Sequence, residues 1–163
     1  MEGKNKNIVV LVEPEIPYNT GNIARTCVST HTALHLVRPY GFHLTNRYIK
    51  RAGMDYWPHV DLTEWDSLEE FCPFMEARVQ EGYDVVYATT KGRKTLGDLQ
   101  ISGPAILLFG KESAGLPAWL REAHPERCIR IPMYAQERSL NLSNSQAIVL
   151  YEVLRQQGYP DLH

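Results

Sequence analysis

The chain has 163 residues, 44% of them hydrophobic and 22% charged, with a formal net charge of -2 at neutral pH. That length suits one compact domain with its own core, and that composition excludes the disordered, fibrous and membrane-embedded classes. The small negative charge excludes a polycation that grips nucleic acid by bulk charge, so any RNA contact has to be local.

Residues 1–7 are polar and lack the apolar stretch of a secretory signal, which leads to the expectation of a cytoplasmic protein. The apolar run 8–12 predicts a buried strand. A helix is expected over 22–30, with Ile23, Cys27 and Val28 on its buried face, and a second strand over 33–37. His31 and His35 have the i, i+4 spacing of two ligands on one helical face, but no Glu follows His31 and strand signals interrupt any helix there. No metal is expected. Arg47, Lys50 and Arg51 fall on one predicted helix, and Lys91, Arg93 and Lys94 in a predicted loop; each cluster is either an ordinary solvated face or an RNA contact.

Asp66, Ser67, Glu69 and Glu70 supply capping chemistry for a helix over 67–80, with Pro73 near its first turns. Further strands are predicted over 83–88, 105–109 and 128–131. The last helix is expected over 143–157, with Ile148, Tyr151 and Leu154 on one apolar stripe that needs a partner surface, and Gly158 placed to end it. This alternation predicts an α/β fold, a mostly parallel sheet flanked by helices. No apolar run approaches the roughly 20 residues of a membrane span. Neither repeat nor linker divides the chain, so residues 1–163 are expected to form a single domain. Cys27, Cys72 and Cys128 lie far apart with no Cys-x-x-Cys pair and read as reduced core thiols.

Open parallel sheets bind ligands in the loops after their strands, and four such loops are unusual. The first, Glu13-Pro14-Glu15-Ile16-Pro17-Tyr18-Asn19-Thr20-Gly21, leaves the first strand through two prolines. Here Asn19 suits a helix N-cap and Arg25 projects a permanent charge from the helix that follows; both are ordinary helix-start residues, or both face a ligand. The second, Ala88-Thr89-Thr90-Lys91-Gly92, offers two hydroxyls and a glycine. The third, Gly110-Lys111-Glu112-Ser113-Ala114-Gly115-Leu116-Pro117, brackets an acid with two glycines that let backbone approach a ligand. Its spacing is that of a phosphate loop, yet Leu116-Pro117 stands where a Lys-Ser/Thr pair would be needed, and the first strand lacks the Gly-x-Gly-x-x-Gly turn. ATP hydrolysis and the usual dinucleotide cradle are therefore not expected. The fourth, Ile131-Pro132-Met133-Tyr134-Ala135-Gln136-Glu137-Arg138-Ser139-Leu140-Asn141-Leu142-Ser143-Asn144-Ser145, holds more hydroxyls and amides than one N-cap needs. It is either a generously capped helix start or a set of donors for a polar ligand at a helix N-terminus.

These loops resemble the three signature motifs of the SPOUT superfamily, SpoU branch, of RNA 2'-O-methyltransferases. Asn19-Thr20-Gly21-Asn22-Ile23-Ala24-Arg25 resembles the first, Gly110-Lys111-Glu112-Ser113-Ala114-Gly115-Leu116 the second and Ser139-Leu140-Asn141-Leu142-Ser143-Asn144 the third, in the same order and spacing. Glu13-Pro14-Glu15-Ile16-Pro17, Arg51-Ala52-Gly53, Asp55-Tyr56, Thr89-Thr90-Lys91-Gly92 and Ile129-Arg130-Ile131-Pro132-Met133 extend the likeness across essentially the full chain, toward the bacterial group that methylates the wobble cytidine or uridine of leucine tRNAs.

The resemblance implies S-adenosylmethionine as cofactor, no metal, a deep trefoil knot in the C-terminal half, a homodimer formed partly through the last helix, and tRNA held at its anticodon arm. General chain-topology rules disfavour a knot, so that expectation rests on resemblance alone. Carried over by motif, Ala88, Thr89, Gly110, Glu112, Gly115, Ile131, Met133, Ser139 and Leu140 would hold the cofactor. Asn19, Arg25, Glu112, Asn141 and Ser143 would form the catalytic site, with Asn19 and Arg25 toward the substrate. Methylation of another tRNA or ribosomal RNA ribose, or a non-catalytic RNA-binding module, remain alternatives.

Overall fold

Five apolar residues in succession, Ile8–Val12, leave no face for water, and they form the fully buried strand β1 at the centre of a parallel sheet. The computed structural model describes residues 6–45, 47–53, 56–134 and 139–163, without the side chains of Lys50, Ala52 and Gly53. After β1 come α1 (Pro17–Ser29), β2 (Ala33–Val37), α2 (Arg47–Gly53), β3 (Leu62–Trp65), α3 (Leu68–Gln80), β4 (Asp84–Ala88) and β5 (Lys94–Thr95). Then follow β6 (Ala105–Phe109), α4 (Ala118–Ala123), β7 (Cys128–Arg130) and α5 (Leu142–Gln156). The sheet has seven strands in the order β3-β2-β1-β6-β4-β7-β5, and every neighbouring pair is parallel. The α/β architecture expected from the alternation is the one found.

Alternate residues of each central strand point to opposite faces. Val9, Leu11 and Leu107 meet Ile23 and Cys27 of α1 and Val149 and Val153 of α5 on one face. Val10, Ile106 and Leu108 meet Phe71 and Met75 of α3 and Leu120 of α4 on the other. Burial pushes the thiols of Cys27, Cys72 and Cys128 up, so none is poised as a thiolate.

Several elements depart from the sequence expectations. Helix α1 begins at Pro17, with Ile16 as N-cap, rather than near residue 22. Proline's fixed φ suits the first helical position, where a missing N–H costs nothing, so Asn19 lies inside the first turn and is not the cap. Helix α5 starts one residue earlier than expected and buries Gln146, Val149, Leu150, Val153 and Leu154. Ile148 and Tyr151 are 40% and 47% exposed, so of the expected stripe only Leu154 faces the core. Both sides of this helix are apolar, and spacing alone does not say which is buried. Gly158 adopts a left-handed φ of 81° beyond its end, where Tyr159 N–H reaches the Leu154 carbonyl. The Ser67 hydroxyl caps α3 by accepting from Glu70 N–H, while Pro73 lies inside that helix. His35 lies on β2 and His31 in a left-handed turn before it, so the two share no helical face. The short strands β3 and β5 were not expected.

Strands β4 and β5 are consecutive in the chain, yet β7 lies between them. The connection, residues 89–93, therefore crosses the later strand. Gly92 makes the crossing possible, since a Cβ there would stand 3.0 Å from Arg130 N. A strand passed beneath such a loop is the local element of a threaded chain. The expected knot depends also on the path from 131 to 141, of which 135–138 lie outside the described residues.

Candidate functional site

The carboxyl ends of β4, β6 and β7 open into a cleft of about 830 Å³, closed on its flanks by the loop after β1 and the start of α5. All nine residues expected to hold the cofactor line it: Ala88, Thr89, Gly110, Glu112, Gly115, Ile131, Met133, Ser139 and Leu140. Asn19 and Asn141 line it as well, whereas Arg25 and Ser143 do not.

Each wall has a local cause. Beyond β4, Thr89 N–H donates to the Ile129 carbonyl at 3.0 Å, fixing that turn against β7. Beyond β6, the chain doubles back so tightly that Gly115 N–H donates to the Lys111 carbonyl at 2.8 Å and takes a left-handed φ of 73°. A Cβ on Gly110 would fall on the Gly115–Leu116 peptide, so glycine is required there by close approach.

Glu112, at the tip of this turn, is committed to the neighbouring loop. Its carboxylate accepts from Glu15 N–H at 2.8 Å, from Ile16 N–H at 3.1 Å and from the Asn19 amide at 3.3 Å. In return the Glu15 carboxylate accepts from Ser113 N–H at 2.8 Å, and its hydrogen bonds with Ser113 hold that carboxyl below the usual range. The two loops thus clasp each other through reciprocal charge-assisted hydrogen bonds.

Asn19 continues the chain of contacts: its amide oxygen accepts from Asn141 Nδ2 at 3.2 Å. Asn141 is the N-cap of α5, and its own oxygen accepts from Ser143 N–H at 2.9 Å, Asn144 N–H at 3.3 Å and the Ser143 hydroxyl at 2.6 Å. Both Asn19 contacts agree with one amide orientation, nitrogen toward Glu112 and oxygen toward Asn141. Ser143 therefore supports the cap from behind rather than lining the cleft.

Arg25 stands apart on the exposed side of α1, with its guanidinium carbon 4.9 Å from the centre of the Tyr56 ring. Sequence reasoning gave no role to Glu15, Ser113, Arg121 or Arg130. The first two clasp the loops, and the other two line the cleft. No local pattern marks Glu15 as the partner of a turn far along the chain. Asp55, part of the sequence likeness, and residues 135–138 of the fourth loop lie outside the described residues. Among the described residues, no group of three or more His, Cys, Asp or Glu side chains is arranged to hold a metal.

The SpoU rRNA Methylase family model matches residues 6–151. A Listeria monocytogenes serotype 4b protein, provisionally named tRNA (cytidine(34)-2'-O)-methyltransferase, is 49% identical over 156 residues, covering 94% of this chain and 89% of that one. The Aeromonas hydrophila tRNA (cytidine(34)-2'-O)-methyltransferase is 44% identical over 152 residues, covering 93% and 94%. A solved structure from work on the 2-OH methylation of C/U34 on tRNA superposes with a TM-score of 0.81 at 42% identity, covering 96% of this chain and 99% of that one. The SpoU methyltransferase AviRb from Streptomyces viridochromogenes, solved with AdoMet, gives 0.83 at 25% identity, covering 94% and 58%. On its sequence, its sheet and the convergence of its three motif loops, the chain belongs to the SpoU methylase family.

Proposed function

We propose that the chain transfers the methyl group of S-adenosylmethionine to the ribose 2'-hydroxyl of the wobble nucleotide, cytidine or uridine 34, of leucine tRNAs. The observation that carries this reading is the hydrogen-bonded line Glu112–Asn19–Asn141, which joins the three motif loops at one cleft. The names of the Listeria and Aeromonas relatives support the choice of nucleotide.

The cleft fits the cofactor. Its volume lies in the range of small-molecule sites. One wall is the close-packed Gly110–Gly115 turn, where the two glycines carry no side chain into the space. Ala88, Thr89, Gly110, Gly115, Ile131, Met133, Ser139 and Leu140 would hold the group there. When bound it supplies a methyl already activated on a sulfonium, so the chemistry left to the protein is positioning and charge stabilisation.

Glu112 orders the loop of Asn19, and Asn141 with Ser143 orders the start of α5, so that both walls keep one spacing. Arg25, outside the cleft, faces the RNA. Guanidinium has no lone pair with which to take the hydroxyl proton. Its part is to bind a neighbouring phosphate through its planar fork and to stabilise the developing 2'-oxyanion.

The anticodon arm is the part of the tRNA engaged, and the enzyme works as a homodimer in the cytoplasm. Exposed Ile148 and Tyr151 on α5, with Ile16 and Tyr18 beside the start of α1, supply the apolar surface for the second copy. The test is labelled S-adenosylmethionine with unmodified tRNA, followed by nuclease mapping and mass spectrometry. Label at nucleotide 34, with resistance of the adjoining phosphodiester to alkali, is the expected result. Label on a base, on another ribose, or nowhere would overturn the assignment.

A further inference from the structure

The geometry points to Tyr56 as the positioning residue of Arg25: its ring face fixes the guanidinium plane while leaving every N–H of the fork free for RNA. This rests on the RNA-facing part given to Arg25 above.

Four other arginines show the contrast. Arg38 is held by Glu64 and Asp66, Arg127 by Glu76, Arg78 by Glu81 and Arg155 by Glu152. A carboxylate partner neutralises the charge and fills the N–H donors that a phosphate would need. Arg25 has no carboxylate partner among the described residues; its guanidinium carbon lies over the Tyr56 ring, 4.9 Å from the centre. An aromatic face attracts the cation through its quadrupole but accepts none of the in-plane hydrogen bonds. Such a partner restricts the rotamers of a long exposed side chain and consumes no donor.

The ring itself is anchored. Half-buried Tyr56 caps the 3-10 turn Trp57–His59, its carbonyl accepts from His59 N–H at 2.9 Å, and Trp57 and Val60 pack against the main core cluster. That turn lies against α1, the helix carrying Arg25. The segment from α2 to this turn thus presents an aromatic support to a cation on a separate helix. Arg47 on α2, whose guanidinium stands 5.2 Å from the Tyr48 ring, places a second cation held by an aromatic on the helix packed along α1.

The experiment compares full-length wild type with Tyr56→Phe and Tyr56→Leu. A loss of about three- to thirtyfold in kcat is expected for the Leu variant, the range of a cation–π contact from exposed to desolvated. S-adenosylmethionine affinity and Tm should stay at wild-type values, and Phe, which keeps the ring, should restore turnover. In an Arg25→Lys background the Leu substitution should add little. Wild-type kcat in the Leu variant, equal losses in Leu and Phe, or a loss confined to the KM for tRNA would each overturn the assignment. A readout independent of turnover is the Arg25 Nε–H resonance. It should be displaced by the ring current in wild type and Phe and relax toward the exposed-arginine position in Leu; an identical resonance in all three overturns the proposal. If wild type transfers no methyl to tRNA, the proposed function fails while this resonance still decides the role of Tyr56.

Discussion

Asn19 in the first turn of α1 and Asn141 at the N-cap of α5, 122 residues apart in the sequence, share a hydrogen bond at 3.2 Å, and through it the first and last of these helices meet at the cleft. Asn141 has two separable tasks, because its oxygen caps α5 while its nitrogen reaches Asn19. Asn141→Asp keeps the capping acceptor and loses the donor. It should hold Tm near wild type while cutting methyl transfer by about tenfold or more, whereas Asn141→Ala should also cost about 1 kcal/mol of stability through the lost cap. Equal activity in the Asp variant and wild type would dismiss the link as incidental.

Glu112 accepts three hydrogen bonds from the first loop. A Gln amide at this position turns an NH2 group toward backbone N–H donors, leaving the part-buried Glu15 N–H or the Ile16 N–H without its acceptor at a cost of about 1 kcal/mol. Glu112→Gln should therefore lower Tm and weaken S-adenosylmethionine binding at least tenfold by calorimetry. Unchanged affinity would remove Glu112 from the architecture of the site.

For Arg25, Arg25→Lys retains the charge and discards the planar fork. Turnover should fall by about a hundredfold or more while cofactor affinity, measured without RNA, is unchanged. Near wild-type turnover would refute the part assigned to Arg25.

His35 gives a pH signature. It is 6% exposed, its Nδ1 accepts from Trp65 Nε1–H at 3.0 Å, and burial pushes its pKa from 6.5 down to about 4. Between those values the unfolded chain binds the proton and the folded chain does not, so stability falls as pH drops through this window. The loss from this group between pH 7 and pH 5 should be about 2 kcal/mol. His35→Gln, which keeps an acceptor but cannot titrate, should flatten the profile of Tm over that range. Parallel profiles for the two proteins would place the acid sensitivity elsewhere.

Gly110→Ala should abolish cofactor binding, because its Cβ would collide with the Gly115–Leu116 peptide and push the turn into or away from the cleft. Titration of the variant with S-adenosylmethionine checks this; wild-type affinity would mean that the turn yields without consequence.

Strands β1 and β6 could be placed to the residue from their unbroken apolar runs, and β2 from a run broken only by buried His35, because burial on both faces leaves no other reading. The same logic fails for β3, whose Leu62 to Trp65 stretch is half polar at the sheet edge, and for two-residue β5. Helix α5 shows a different limit: Ile148 and Val149 are equally apolar, and only the position of the sheet decides that Val149 is buried and Ile148 is not. At the site, the residues that line the cleft were legible because the motifs carry them. Their mutual arrangement was not, since Glu112 meets Glu15 and Ile16 across 97 and 96 positions of chain.

The placement of β7 between two strands that precede it has a consequence for biosynthesis. A nascent polypeptide arrested before Cys128 would hold β4 and β5 with an empty slot between them, and the parts of the cleft formed by β7 and the start of α5 would not exist. The segment from Cys128 onward is therefore the part that completes the site. Ligand binding by a released chain therefore reports that the segment from Cys128 onward has been made and has settled between β4 and β5, and assembly of that non-local kind is slow and leaves shorter products incompletely folded.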